Sequence, residues 1–152
     1  MTTTKMVSPE RIRRYPCFGA VSEESLEKLA MATEERRFVA GEFLCREGDR
    51  ADYLYIIAEG EVEIQVELGS GEMATVDILV AGEMAVWSAV VKPYRARFAC
   101  VAKTDVTVLA LESVTLRELT QKDHEFGFGL MRGVATALAH RLAGARIQLA
   151  AS

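Results

Sequence analysis

Residues 41–62 read GEFLCREGDRADYLYIIAEGEV, and the fold turns on this stretch. Gly41, Gly48 and Gly60 divide it into short runs whose apolar residues recur with a period of two. That period, in runs bounded by glycine, predicts half-buried strands joined by turns. The pattern extends outward in both directions. It starts at Arg36 and continues past Gly69, Gly71 and Gly82. Val62, Ile64 and Val66 alternate with Glu61, Glu63, Gln65 and Glu67, so one face of that strand is wet and the other buried, in antiparallel style. After Pro93 two more strands are predicted, 96–102 and 106–111, joined by the tight link Lys103-Thr104-Asp105. Short strands at regular spacing predict a sandwich or barrel.

Helical patterns flank this region. Ser22 opens SEESLEKLAMA, where Leu26, Leu29 and Ala30 fall at helical spacing. Ser113 is expected to cap a short helix, VTLRELTQKD, and from Glu125 onward the chain is alanine-rich and helical, although Gly127, Gly129, Gly133 and Gly144 weaken that pattern. Met131, Ala135, Leu138, Leu142, Ala145 and Leu149 follow the four-and-three spacing of a coiled-coil seam, while Phe126, Leu130 and Val134 form a second stripe. One stripe is expected to dock on the β body and the other on a second copy, making a homodimer. Gly133, Ala137 and Gly144 would let the two backbones approach, with Arg132, Arg141 and Arg146 at the edge. The alternative is that both stripes dock on one chain. The expected organisation is a single domain over residues 1–152, with an N-terminal helical segment 1–35, a β-roll 36–112 and C-terminal helices 113–152.

Composition narrows the function. The 152 residues are half hydrophobic and 26% charged, as in ordinary globular proteins. Lysine and arginine number 18 against 22 acids, a net charge of −4, which argues against nucleic acid as a partner. No apolar run approaches the roughly 18 residues needed to span a bilayer, and the start lacks a secretory apolar region, so no membrane association and a cytoplasmic location are expected. Cys17, Cys45 and Cys100 are scattered, giving neither a disulfide framework nor a metal knuckle, and are expected to be buried free thiols. His124 and His140 both lie in the helical tail, so no His-x-His strand ligands exist for a metal. No phosphate loop, Ser-His-Asp set or paired-carboxylate motif stands out. Neither a catalytic residue nor a cofactor is expected.

From Arg14 to about Leu142 the chain resembles the cyclic-nucleotide-binding domain of catabolite-activator-type regulators, protein kinase regulatory subunits and gated channels. The resemblance rests first on Pro16, Phe18, Ser22, Leu26 and Leu29-Ala30, with Glu24 one place off the family phrase. It rests next on Gly41-Glu42, Leu44, Gly48-Asp49, Ala51-Asp52, Leu54-Tyr55, Ile56 or Ile57, Gly60 and Val62. It implies a mainly β fold, a double-stranded β-helix or jelly-roll-like β-roll, with N-terminal helices and a long C-terminal helix. It also implies a ligand site within residues 82–97, where family members carry a carboxylate for the ribose and an arginine for the cyclic phosphate.

In this chain the implied site departs from the pattern. Gly82-Glu83 matches the start of the motif, which puts Val86 in a glycine slot and Trp87 in the slot of the ribose-binding glutamate. Ala96 takes the slot of the phosphate-binding arginine, between Arg95 and Arg97. Alternation turns Ala96, Phe98, Cys100 and Ala102 inward and both arginines outward, unless a bulge intervenes. Arg95 and Arg97 are thus either solvated or a displaced anion clamp. Trp87 either fills the vacated pocket or offers a stacking surface to a flat ligand. Ser88 is expected to cap the following turn rather than to meet a ligand.

The reading is therefore a stand-alone regulatory module responsive to a small ligand, without ordinary affinity for cAMP or cGMP and with an unknown output partner. The alternatives are a ligand-free scaffold domain, or a genuine cyclic-nucleotide binder that uses Arg95 or Arg97.

Overall fold

The computed structural model describes residues 5–151, apart from the side chains of residues 147–149 and 151. Among the described residues nine strands form two antiparallel sheets. The first holds, in order, β1 (Lys5–Met6), β2 (Thr33–Phe38), β9 (Val106–Glu112), β4 (Tyr53–Glu59) and β7 (Met84–Ala85). The second holds β3 (Phe43–Cys45), β8 (Ala99–Ala102), β5 (Val62–Glu67) and β6 (Met73–Leu79). One buried cluster draws on both sheets, with Leu54, Ile57, Val108 and Leu109 from the first and Val62, Ile64, Cys100 and Ala102 from the second. The fold class is the expected one: a β-roll with helices at both ends of the chain.

Strand β2 begins three residues before the expected Arg36, and β1 adds a strand inside the segment expected to be helical. The reason is that two inward positions of β2 are polar. Thr33 is buried and donates to the Leu29 carbonyl at 2.6 Å, and Glu35 is buried and accepts from Arg11 at 2.5 Å. With both groups satisfied the strand can bury them, but the apolar period is hidden. Strand β8 begins at Ala99 rather than Ala96. The chain before it turns through a cis Lys92–Pro93 bond and a left-handed Tyr94, and only an isolated Arg50–Arg95 bridge pairs there.

Before the roll lie α1 (Pro9–Arg13), a 3-10 turn at Pro16–Phe18, and α2 (Glu23–Met31). Ser22 caps α2 as expected, accepting from the Ser25 amide. After the roll come α3 (Ser113–Lys122) and α4 (His124–Ala151). Ser113 does not cap α3. Glu112 holds the cap position, its carboxylate accepting from the Thr115 hydroxyl at 3.0 Å rather than from a backbone amide, while the Ser113 hydroxyl accepts from Arg117 inside the first turn.

Helix α4 runs unbroken for 28 residues. Asp123 fixes its start, accepting from the Phe126 amide at 3.2 Å and from the Ser25 hydroxyl of α2 at 2.6 Å. Phe126, Leu130 and Val134 are buried, and Phe126 stacks on Phe18 with ring centroids 5.8 Å apart. The other stripe stays on the surface: Met131, Leu138 and Leu142 are exposed, as are Ala135 and Ala145. The two stripes therefore do not both dock on one chain. The Leu149 side chain lies outside the described residues.

Gly129, Gly133 and Gly144 of α4 face the molecule's own body rather than a partner. A methyl added at Gly129 would lie 2.9 Å from the Cys17 carbonyl oxygen, and one at Gly133 would lie 3.1 Å from Cys17 Cβ and 3.4 Å from Met84 Cε. Gly144 likewise faces Asp77. Close approach to the 3-10 turn and to β7 thus accounts for Gly129 and Gly133 despite a helix-propensity cost of about 1 kcal/mol each. Arg141 is not an edge charge either, because it turns into the roll.

Candidate functional site

The segment from Val80 to Phe98 crosses one end of the roll. Its first turn is a closed unit: the Glu83 carboxylate accepts from the Val80 amide at 2.9 Å, and the Gly82 amide donates to the Ile57 carbonyl at 2.7 Å. Strand β7 then pairs Met84 and Ala85 with Ile56 and Tyr55 of β4. Val86 follows in the left-handed region at φ 60°, ψ 50°, and leads into a 3-10 turn over Trp87–Ala89. Val86 and not Ser88 stands at the cap position, and Ser88 lies buried inside the turn without a capping bond. The turn is held from outside by Arg117 of α3, whose Nε donates to the Ala89 carbonyl at 3.0 Å and whose guanidinium lies 3.8 Å over the Tyr94 ring.

Under this segment is a cavity of about 20 Å³, lined by Val86, Trp87, Ser88, Ala96, Arg97 and Phe98 from the segment itself. Cys45, Ile64 and Cys100 line it from the second sheet, Met84 and Ala85 from β7, and Arg141 from α4. It has room for about one water molecule. Sites for small organic ligands run to hundreds of Å³.

The candidate residues divide between two places. Val86, Trp87, Ser88, Ala96 and Arg97 meet at the cavity, with Ala96 buried and Arg97 exposed at its rim. Arg95 lies outside, where its guanidinium donates to the Gly48 carbonyl at 3.1 Å. Gly82 and Glu83 line a separate groove of about 270 Å³ between α4 and the 3-10 turn at Pro16.

Sequence reasoning missed Arg141. Its side chain is 15% exposed, with Nε 2.7 Å from Asp77 Oδ2 and Nη2 3.6 Å from Glu83 Oε2. The buried Nε has no aligned hydrogen-bond acceptor among the described residues, so the contact with Asp77 is electrostatic rather than a directed bond. Arg141 thus spans from α4 to β6 and the turn after it, and closes the cavity beside Trp87. A signal was present, since continuing the stripe Phe126, Leu130, Val134 by helical steps reaches Ala137 and Arg141. The described residues contain no group of three or more His, Cys, Asp or Glu side chains placed to hold a metal ion. None of their helices is long and apolar enough to cross a membrane.

Comparison with known proteins agrees with this geometry. Residues 35–123 match the family model of the cyclic nucleotide-binding domain. A rat voltage-gated delayed rectifier potassium channel, KCNH4, is 30% identical over an alignment of 117 positions that covers 73% of this chain and 11% of the channel. The chain therefore corresponds to a small part of that relative. Among solved structures, a Geobacter metallireducens protein described as cyclic nucleotide-binding is 33% identical, with a TM-score of 0.80 over 90% of this chain and 99% of that one. A cyclic nucleotide-binding domain from Methylobacillus flagellatus reaches a TM-score of 0.81 at 18% identity, covering 99% of this chain and 89% of that one, and supports the fold alone. These matches are to regulatory binding domains rather than enzymes. A roll crossed by a ligand-type segment and closed by its C-terminal helix, together with a family match over more than half the sequence, makes this chain a member of the cyclic nucleotide-binding domain family.

Proposed function

We propose that residues 1–152 form a single regulatory module of the cyclic-nucleotide-binding type whose nucleotide pocket is occupied by its own side chains. The observation that carries this reading is the cavity of about 20 Å³ with Trp87, Ala96 and Arg141 in its wall. A cyclic phosphate needs a cation with free hydrogen-bonding capacity, and leaving it unpaired in an apolar roll costs several kcal/mol. Ala96 offers none, Arg95 is committed to Gly48, Arg141 is already balanced by two carboxylates, and Arg97 stands exposed at the rim rather than inside the roll. Cyclic AMP and cyclic GMP would have to displace Trp87 and break the Arg141 contacts before binding.

A ligand that suits the site is flat or apolar and carries an anionic group able to compete for Arg141 or to reach Arg97 at the rim. Its entry would free Arg141 from Asp77 and Glu83, so binding and the position of α4 are linked. The exposed seam of α4 gives that movement an output, a contact with a second copy. Thermal melting tests the reading. At 100 times its dissociation constant an aromatic carboxylate that binds should add roughly 2.7 kcal/mol of stability. Arg141→Ala should lose that gain. Equal stabilisation of wild type and Arg141→Ala would contradict a ligand held by this arginine, and no stabilisation by any aromatic or anionic metabolite would favour the scaffold reading.

A further inference from the structure

The floor of the cavity holds a feature that the ligand reading does not use. Cys45 of β3 and Cys100 of β8 stand directly opposite each other across an antiparallel pair. Regular pairing from Phe43 opposite Val101 would bring Leu44, not Cys45, to face Cys100. The register slips by one between Phe43 and Cys45, and this bulge sets the two thiols face to face. Such bulges re-aim a side chain at the cost of ladder regularity.

Opposed residues in antiparallel strands have Cα atoms about 4.5–5.5 Å apart, inside the span of about 4.4–6.8 Å that a disulfide bridges. Both cysteines are free and both line the cavity, and the Cys45 thiol donates to the Phe98 carbonyl at 3.6 Å. Cys45 is half-buried and Cys100 fully buried. The third cysteine, Cys17, lies apart under α4 against Gly129 and Gly133.

We infer that Cys45 and Cys100 form an oxidisable dithiol, a modification site that a small-molecule disulfide closes into a cross-strand bridge. The two cysteines have distinct parts. Donation from the facing Cys100 thiol would stabilise a Cys45 thiolate and so lowers Cys45 from its ordinary value, whereas that same interaction and burial push Cys100 up, against the pull of the Arg141 guanidinium. Cys45 is the more accessible and the more readily ionised, so it attacks first. Its thiolate displaces one thiolate from the incoming disulfide and forms a mixed disulfide. Cys100 then gives up its proton to solvent and attacks the Cys45 sulfur, expelling the second small thiolate. Two cysteine thiols are oxidised by two electrons, and the small disulfide is reduced to two thiols. Cys17, raised to about 12 by burial, stays out of the exchange.

The test treats the folded chain with glutathione disulfide and maps its thiols by differential alkylation and mass spectrometry. The expected product joins Cys45 to Cys100, leaves Cys17 free and carries no glutathione, and reducing agent restores all three thiols. In Cys100→Ser the reaction should stop with glutathione on Cys45. In the wild type, a lasting glutathione adduct on Cys45, a bridge that includes Cys17, or three thiols untouched under conditions that oxidise the unfolded chain would each overturn the inference. The wild-type map decides the matter even if the serine variant does not fold. Because no cavity ligand is involved, its outcome is separate from that of the melting experiments.

Discussion

Val86 carries the sharpest local conflict in the site. A β-branched residue at φ 60°, ψ 50° pays about 1–2 kcal/mol relative to an ordinary conformation, and such strain persists only where the surroundings enforce it. Here β7 on one side and the Arg117 clamp on the other enforce it. The slot is one where the family motif has glycine, and the left-handed backbone explains that preference. The side chain is nevertheless buried in the cavity wall, so Val86 exchanges backbone ease for filling. Substitution should reveal this. Val86→Gly and Val86→Ala both lose the packed side chain, but only glycine relieves the backbone. Val86→Gly should therefore be more stable than Val86→Ala by about 1 kcal/mol in urea denaturation. That reverses the ordinary order, in which glycine falls about 0.5–1 kcal/mol below alanine, and finding the ordinary order would show the turn to be relaxed in solution.

Helix α4 docks one face on the roll and leaves the other exposed, and the two faces differ in how far they can be read from sequence. Phe126, Leu130 and Val134 announce themselves as an inner stripe. The seam through Met131, Leu138 and Leu142 is equally visible because heptad spacing is a strong regular signal. What spacing does not reveal is the purpose of the glycines, which depends on how closely Cys17 and Met84 approach. For Arg141 the inner stripe does point inward, but its charge marks it as surface until Asp77 and Glu83 are known to face it. In the same way Thr33 and Glu35 hide the start of β2, because buried polar groups look exposed until their partners are known. The candidate residues at Val86, Trp87 and Ala96 were legible as a line of slots. The Cys45–Cys100 facing was not, since it depends on a one-residue register slip. The seam itself leads to a prediction. Leu138 is 38% exposed and Leu142 66% exposed, so charged substitutions there should leave a single chain folded. Sedimentation should show the wild type as a dimer and the Leu138→Glu, Leu142→Glu double variant as a folded monomer. A wild type that stays monomeric at high micromolar concentration would refute the dimer seam.

At the scale of the whole molecule, two sheets and four helices enclose one core, and the segment 80–98 with α4 closes one end of it. Trp87 and Ala96 come from that segment and Arg141 from α4, and in the proposed reading each removes something a cyclic nucleotide would need: a ribose carboxylate, a phosphate cation and open volume. Their combined effect is the central claim, that the family fold persists while its nucleotide site is filled from within. Calorimetric titration of the full chain with cAMP and cGMP tests this most directly. The account predicts no saturable binding tighter than about 1 mM, equivalent to roughly −4.1 kcal/mol. A dissociation constant of about 1 μM or below for either nucleotide, roughly −8.2 kcal/mol, would contradict it.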